Sequence, residues 1–272
     1  MKITLLTANQ PRHNYLITIL SRICKELYVI QESRSIFPGK SKRGLYKKTK
    51  THSNYFKKVY QAEIKVFGKH AFSFNKQNVT ILSIERNDMN LLKLSQVKEF
   101  LKSEIYINYG TSVIKGDLLK FLVNKKCINI HNGISPYYIG SDCNFWAVYD
   151  KNFSFVGSTV HYLTKKIDFG EVLFHSSCFY NGKSPFEFTM YSIKSALVNL
   201  RNLIKNKKIY TLKSKKINKK KLIRHSYIKN FNIVAIKKFN KIKFKKFNNK
   251  NFLKLNLINP FIIKAKKNNR EG

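Results

Sequence analysis

Five short apolar runs punctuate the first 130 residues: Ile3–Leu6, Leu27–Ile30, Val79–Ile84, Ile105–Tyr109 and Cys127–Ile130. Stretches with helical spacing separate them. Leu16, Ile19, Leu20, Ile23 and Leu27 recur at three- and four-residue intervals and predict a helix over Tyr15–Leu27. The same spacing over 56–72 (Phe56, Val59, Tyr60, Ile64, Phe67) predicts a second. Helices are also expected at Leu91–Leu101 and at Gly116–Val123, the latter with Asp117 near its start. Strands joined by long helical crossovers pair in parallel and need helices on both faces. The expected fold class is therefore α/β, a doubly wound, mostly parallel, Rossmann-like sheet.

Past residue 130 the pattern changes. A short helix is expected at Phe145–Tyr149, then two β segments, Phe153–Leu163 and Glu171–Phe179, joined by Thr164–Gly170. A long amphipathic helix follows at Pro185–Leu203. Residues 33–60, with Pro38, Gly39 and Gly44, read as a polar, basic loop. Beyond about 207 the chain turns lysine-rich but keeps apolar runs at Ile233–Ile236 and Phe252–Ile263, and Lys241-Ile242-Lys243-Phe244 alternates as a strand does. This gives a catalytic domain over 1–206 and a basic extension over 207–272, partly folded or packed on the domain.

Net charge is +39, and it is uneven: residues 201–272 hold 24 Lys and Arg against the single acid Glu271. Such an extension can bind nucleic acid or other polyanions, and Phe interleaved with Lys over 237–252 could add stacking to charge. No nucleic-acid motif accompanies it. Lys, Asn, Ile and Phe are abundant all along the chain, and compositional drift is the simpler reading. The four cysteines (Cys24, Cys127, Cys143, Cys178) form no C-x-x-C pair, so no zinc or dithiol motif is implied. No apolar run approaches the roughly 18 residues of a membrane span. Met1–Leu6 is too short for a signal-peptide core, so the cytoplasm is the expected location, with no membrane partner.

Polar information is densest over 127–170. Asn129 and His131 stand two apart at the end of a strand, so both side chains face one way, at the edge where open α/β sheets bind ligands. An amide and an imidazole side by side can hold a carbonyl oxygen as charge builds on it. The loop Gly133-Ile134-Ser135-Pro136-Tyr137-Tyr138 follows, and Ser135 and Tyr137 are expected against a substrate. Asp168, in the turn between two β segments, could orient the imidazole and move protons through a water. Near the N-terminus, Thr7-Ala8-Asn9-Gln10-Pro11-Arg12-His13 opens the first helix. Backbone amides there, aided by Asn9, Arg12 and His13, could hold a phosphate. His161 reads as a histidine bonded within the sheet, and Trp146 as core; His70 and His175 have no motif partner.

The run Asn129-Ile130-His131, Ser135-Pro136 and Gly140, then Gly157 to Tyr162 with Thr159-Val160-His161, then Ile167-Asp168-Phe169-Gly170-Glu171, resembles the folate-dependent formyltransferases. That family includes the glycinamide ribonucleotide, methionyl-tRNA and sugar N-formyltransferases. The match is good over about 105–180, loose over 1–104 and not clear over 207–272. The resemblance implies 10-formyltetrahydrofolate as co-substrate, no metal, and a primary amine as acceptor. It implies that Asn129 and His131 bind the formyl oxygen and that Asp168 orients His131 and helps take the amine's proton. Gly110, Thr111, Ser112, Val113 and Ile114 would grip the pterin ring, with Ile167 in the loop closing over it. Asn132-Gly133 stands where many members have Pro-Ser, and the glycine-rich phosphate loop of the glycinamide ribonucleotide enzyme is absent. The acceptor expected first is therefore a nucleotide-linked amino sugar, then glycinamide ribonucleotide or methionyl-tRNA. Water in place of the amine would make a hydrolase. An oligomer is compatible with all of these.

Overall fold

The computed structural model describes residues 1–35, 46, 49–68, 76–178, 180 and 182–244. Pro38, Gly39, Gly44, His70 and the run 252–263 lie outside them. In chain order the strands are β1 (Lys2–Ala8), β2 (Glu26–Ser33), β3 (Val79–Glu85), β4 (Ile105–Tyr109), β5 (Ile128–His131), β6 (Tyr138–Gly140), β7 (Ser158–Tyr162), β8 (Val172–Ser176) and β9 (Arg224–Ser226). The α-helices are α1 (Pro11–Ser21), α2 (Lys50–Phe67), α3 (Gly116–Asn124), α4 (Cys143–Tyr149), α5 (Pro185–Lys205) and α6 (Ile233–Asn240).

Seven strands form one sheet in the order β3-β2-β1-β4-β5-β7-β8. β1 to β5 pair in parallel, while β7 is antiparallel to both β5 and β8. This is the α/β, mostly parallel sheet that the strand–helix alternation predicts. The chain winds outward from β1 to β3, then crosses back to β4 on the other side of β1. That reversal opens a crevice at the carboxyl ends of β1 and β4, where doubly wound sheets bind ligands.

Period-two alternation explains why both faces are buried. On β1, Ile3 and Leu5 pack with α1, α2 and α5, through Leu16, Leu20, Val66 and Leu197. Leu6 points the other way, into a cluster with Leu118 and Leu122 of α3. A third cluster joins Tyr55 and Phe56 of α2, Phe145 and Trp146 of α4, and Ile236 and Phe239 of α6. There Phe145 and Phe239 stack at 4.7 Å, so part of the lysine-rich extension is seated on the rest of the chain.

Several expectations need correction. α1 starts at Pro11 and stops at Ser21, because proline suits the first helical position, whose N–H has no intrahelical partner. α2 reaches back to Lys50, inside the expected loop; the Thr49 side chain accepts from His52 N at 3.2 Å, and Gly68 (φ 84°) ends the helix. Leu91–Leu101 is not an α-helix: short 3₁₀ turns at Asp88–Asn90 and Glu99–Leu101 flank irregular chain. One side chain satisfies backbone within the stretch, and another ties its start to the segment before α3. Gln96 Oε1 accepts from Lys93 N at 2.9 Å, and Asn90 bonds Val113 O (2.9 Å) and Lys115 N (2.7 Å). Phe153–Phe155 is a 3₁₀ turn ahead of β7, and the chain from Lys241 to Phe244 forms no strand.

Leu5 lies fully buried on the central strand. Leu5→Ala is expected to lower the unfolding free energy by about 2–5 kcal/mol in a urea titration; a change under about 1 kcal/mol would mean the centre of the sheet can collapse around the gap.

Candidate active site

The site begins with three strands in register. β5 presents Asn129 and His131; Asn129 lies opposite Asn108 of β4 and opposite His161 of β7. The three polar side chains form a hydrogen-bonded row. Asn108 Nδ2 donates to Asn129 Oδ1 at 2.7 Å, and Asn129 Nδ2 donates to His161 Nε2 at 3.0 Å. His161 Nδ1 faces the Tyr162 carbonyl at 2.8 Å, so its proton sits on Nδ1 and Nε2 is free to accept. Burial first pulls the His161 imidazole down to about 4, and it stays neutral at neutral pH. The Asn129 carboxamide is thus fixed in orientation. One of its two N–H bonds goes to His161.

His131 meets an acid. Its Nδ1 lies 3.3 Å from Asp168 Oδ1, and both side chains are about nine-tenths buried. Its Nε2 faces the Tyr138 carbonyl at 3.3 Å. Asp168 adopts a left-handed backbone (φ 56°) in the turn after β7, which Asp tolerates better than most residues. Its other oxygen, Oδ2, accepts from Gly140 N at 3.2 Å. Gly170 permits the turn, since a Cβ there would sit 1.6 Å from Tyr162 O.

The loop after β5 is pinned from several sides. Thr159 Oγ1 donates to Gly133 O at 2.6 Å and accepts from Ser135 N at 2.9 Å, while His175 Nε2 donates to Ser135 O at 2.7 Å. Asn132 Nδ2 reaches Tyr109 Oη at 3.3 Å. A Cβ on Gly133 would come within 2.6 Å of His131 Nε2 and 2.5 Å of Cys143 Cβ, so glycine gives the imidazole its room.

His131 and Asn132 open onto a cavity of about 590 Å³. Gln10, Pro11 and Arg12 of the β1–α1 turn line it, as do Arg34 and Arg86, just past β2 and β3. Arg12 pairs with Glu63 of α2 at 2.8 Å and Arg34 with Glu32 at 3.2 Å. The Nε atoms of Arg12, Arg34 and Arg86 are buried without a hydrogen-bond partner. Asp142 also lines the cavity and accepts from Tyr46 Oη at 2.9 Å; burial pushes its carboxyl up to about 6 against the opposing pull of Tyr46 and Arg12.

The structure brings Asn129, His131 and Asp168 together, and puts Arg12 on the cavity wall. It does not bring His13 there: the ring is buried against Tyr109 and Gly110, where a Cβ would be 2.3 Å from Nε2. Asn9 spends its side chain on Arg34, bonding N at 3.0 Å and O at 2.9 Å. Ser135 is fully buried, and Tyr137 packs on Phe155 at 4.4 Å. In the segment after β4, Gly110 is left-handed (φ 72°), Thr111 Oγ1 reaches Asn108 Oδ1 at 2.9 Å, Ser112 N donates to Glu32 at 2.8 Å, Val113 is half exposed and Ile114 is buried. Ile167 is 57% exposed beside Asp168. Asn108, Glu32, Arg34, Arg86 and Asp142 escape the sequence reading. Polar residues inside apolar strands, or just past their carboxyl ends, were the available signal. Among the described residues, no group of three His, Cys, Asp or Glu side chains could hold a metal ion.

The sequence by itself matches no family model and no curated protein. Solved structures do match. One is a 4-N formyltransferase from Francisella tularensis, 14% identical over 85% of this chain and 77% of that one, with a TM-score of 0.53. A sugar N-formyltransferase from a Shewanella species is 16% identical over 85% and 78%, with a TM-score of 0.50. The chain has the formyltransferase fold. A sugar 3N-formyltransferase solved with dTDP and 5-N-formyl-THF shares that fold at 15% identity over 90% and 80%, with a TM-score of 0.50. Within the formyltransferase fold, this chain's Asn129 and His131 sit at the carboxyl end of β5, beside the β1/β4 crevice.

The neutral, buried His161 has a consequence for stability. Its folded value of about 4 lies below the ordinary 6.5, so the unfolded chain takes up a proton that the folded chain refuses. The stability this site contributes is complete above about pH 6.5 and is lost as pH falls toward about 4. In urea titrations, the wild type's lead over His161→Gln should shrink steadily across that window. A lead independent of pH would show that His161 is not held neutral.

Proposed function

We propose that the protein transfers a formyl group from 10-formyltetrahydrofolate to the primary amine of a nucleotide-linked amino sugar. The observation that carries this reading is the constellation of Asn129 beside the His131–Asp168 pair at 3.3 Å, with His131 lining a cavity of about 590 Å³.

In this reading the amine's lone pair attacks the formyl carbon, and the carbonyl electrons move onto oxygen. The second N–H of the Asn129 amide and the Nε2–H of His131 receive that charge; the 3.3 Å contact of Nε2 with the Tyr138 carbonyl is long enough to be shared with the oxyanion. Asp168 keeps the imidazole aimed and, through a water, accepts the proton that the amine loses. Collapse of the tetrahedral carbon expels the folate nitrogen, to which Asp168 returns that proton through the water, and leaves a formamide. The amine must be neutral to attack, and holding it against the formyl carbon supplies much of the rate.

The nature of the acceptor is supported by the far end of the cavity. Arg34 and Arg86 line the cavity just past β2 and β3, on the other side of β1 from His131, and their guanidinium groups suit phosphate oxygens, while Asp142 suits hydroxyls or the amine. Two fold neighbours are described as acting on sugars, one of them solved with dTDP and a formylated folate. Gly110 to Ile114 and Ile167 are the proposed folate contacts, with Thr111 tied into the same row as Asn129.

A spectroscopic assay tests the reading. Protein supplied with 10-formyltetrahydrofolate and a panel of nucleotide-linked amino sugars, glycinamide ribonucleotide, methionyl-tRNA or water should release folate with an amino sugar only. Release with water alone would make it a hydrolase. Asp168→Asn and His131→Ala should each slow turnover by more than about a hundredfold while the folate Kd moves by less than about threefold. Retained turnover in His131→Ala would sink the mechanism.

A further inference from the structure

One stretch of the lysine-rich extension is built into the back of the site. β9 runs parallel to β6, with Tyr138 opposite Arg224 and Gly140 opposite Ser226. This pair stands apart from the seven-stranded sheet. The fit is close: at Gly140 (φ 90°) a Cβ would lie 2.1 Å from Ser226 O. Ile223 N and Arg224 N donate to Tyr137 O at 2.9 and 3.0 Å, and Ser141 N donates to Ser226 O at 2.9 Å.

β6 is also the strand on which the pair of His131 and Asp168 leans. Its Tyr138 carbonyl faces His131 Nε2 and its Gly140 N–H donates to Asp168 Oδ2. Whatever fixes β6 therefore fixes both members of the pair.

A ribbon of two three-residue strands is marginal alone, so a stronger clamp has to hold it. Arg224 supplies one. Its guanidinium grips Asp150 with a fork, Nε to Oδ2 at 2.9 Å and a terminal nitrogen to Oδ1 at 2.6 Å. The same plane lies over the Trp146 ring at 4.7 Å. Asp150 Oδ2 also accepts from Tyr138 Oη at 3.1 Å, which closes the chain from β9 through Asp150 back to β6. A bidentate, stacked arginine holds geometry as a point-charge lysine does not.

We propose that β9 is a positioning element of the active site and that Arg224 is the positioning residue through which it acts. Gripping Asp150 and Trp146, Arg224 seats β9 against β6, and β6 in turn holds His131 and Asp168 in line. The kinetic consequence rests on the formyl-transfer reading above; the structural one does not.

The test uses the full chain with Arg224→Ala and with the shape-preserving Asp150→Asn, which keeps the fold in hand if the first variant is unstable. Amide hydrogen exchange at Gly140, read by NMR, should accelerate about tenfold or more in both, with far-UV circular dichroism unchanged. Turnover should fall about ten- to a hundredfold with both KM values within about twofold, as for a misaligned catalytic group. Adding Arg224→Ala to Asp168→Asn should cost much less than on the wild type, because the two act through one contact. Unchanged Gly140 exchange with unchanged turnover in Asp150→Asn would overturn the proposal, as would fully multiplicative effects in the double variant. If the wild type releases no folate with any acceptor, the formyl-transfer reading falls, and Gly140 exchange alone decides the positioning role.

Discussion

The register of β5 between its two neighbours is the constraint on which the site depends. β5 is only four residues long, yet it is paired in parallel with β4 and antiparallel with β7. Because side chains alternate from face to face, a slip of one residue would send Asn129 and His131 to the opposite side of the sheet. The same register sets Asn108 and His161 on either side of Asn129, and Thr159 opposite His131. Orientation of the Asn129 amide is therefore a consequence of strand pairing, not of a local turn.

This arrangement is costly to assemble and stable only when complete. A buried amide or imidazole left without a partner costs about 1–3 kcal/mol. Here the row from Thr111 through Asn108 and Asn129 to His161 and the Tyr162 carbonyl gives each member an acceptor or a donor. Glu32 plays a similar part behind the segment after β4: it accepts from Ser112 N, Asn87 N and Arg34 and ties three loops together. Burial keeps His161 neutral, so its Nε2 accepts from Asn129 and fixes the orientation of that amide. A backbone donor on β6, Gly140 N, holds Asp168, so the position of that carboxylate depends on the stiffness of a three-residue strand.

Much of the frame was legible because it is written in period: the five parallel strands and α5 follow from apolar spacing alone. Asn129, His131 and Asp168 could be grouped because three ordered motifs stand at a recognisable separation. Leu91–Leu101 misled because its apolar spacing fits a helix while the Gln96 side chain takes the Lys93 N–H and Asn90 ties the start of the stretch to Lys115. His13 misled for a different reason. A helix start identifies which amides are free, but not which side chain turns inward, and His13 turns toward Gly110. Arg224 and Asp150 are 74 residues apart in the chain, and Ser112 and Glu32 are 80. No local pattern encodes such contacts. They become visible only once the sheet order brings the segments side by side.

The most direct measurement of the central claim follows the formyl carbon itself. The wild-type protein is mixed with 10-formyltetrahydrofolate labelled with carbon-13 in the formyl group and with a nucleotide-linked amino sugar, and the label is followed by NMR. The account predicts that the label passes into a formamide on the sugar, and that this transfer disappears in Asn129→Leu while folate still binds. Label recovered as free formate, or transfer undiminished in Asn129→Leu, would contradict it.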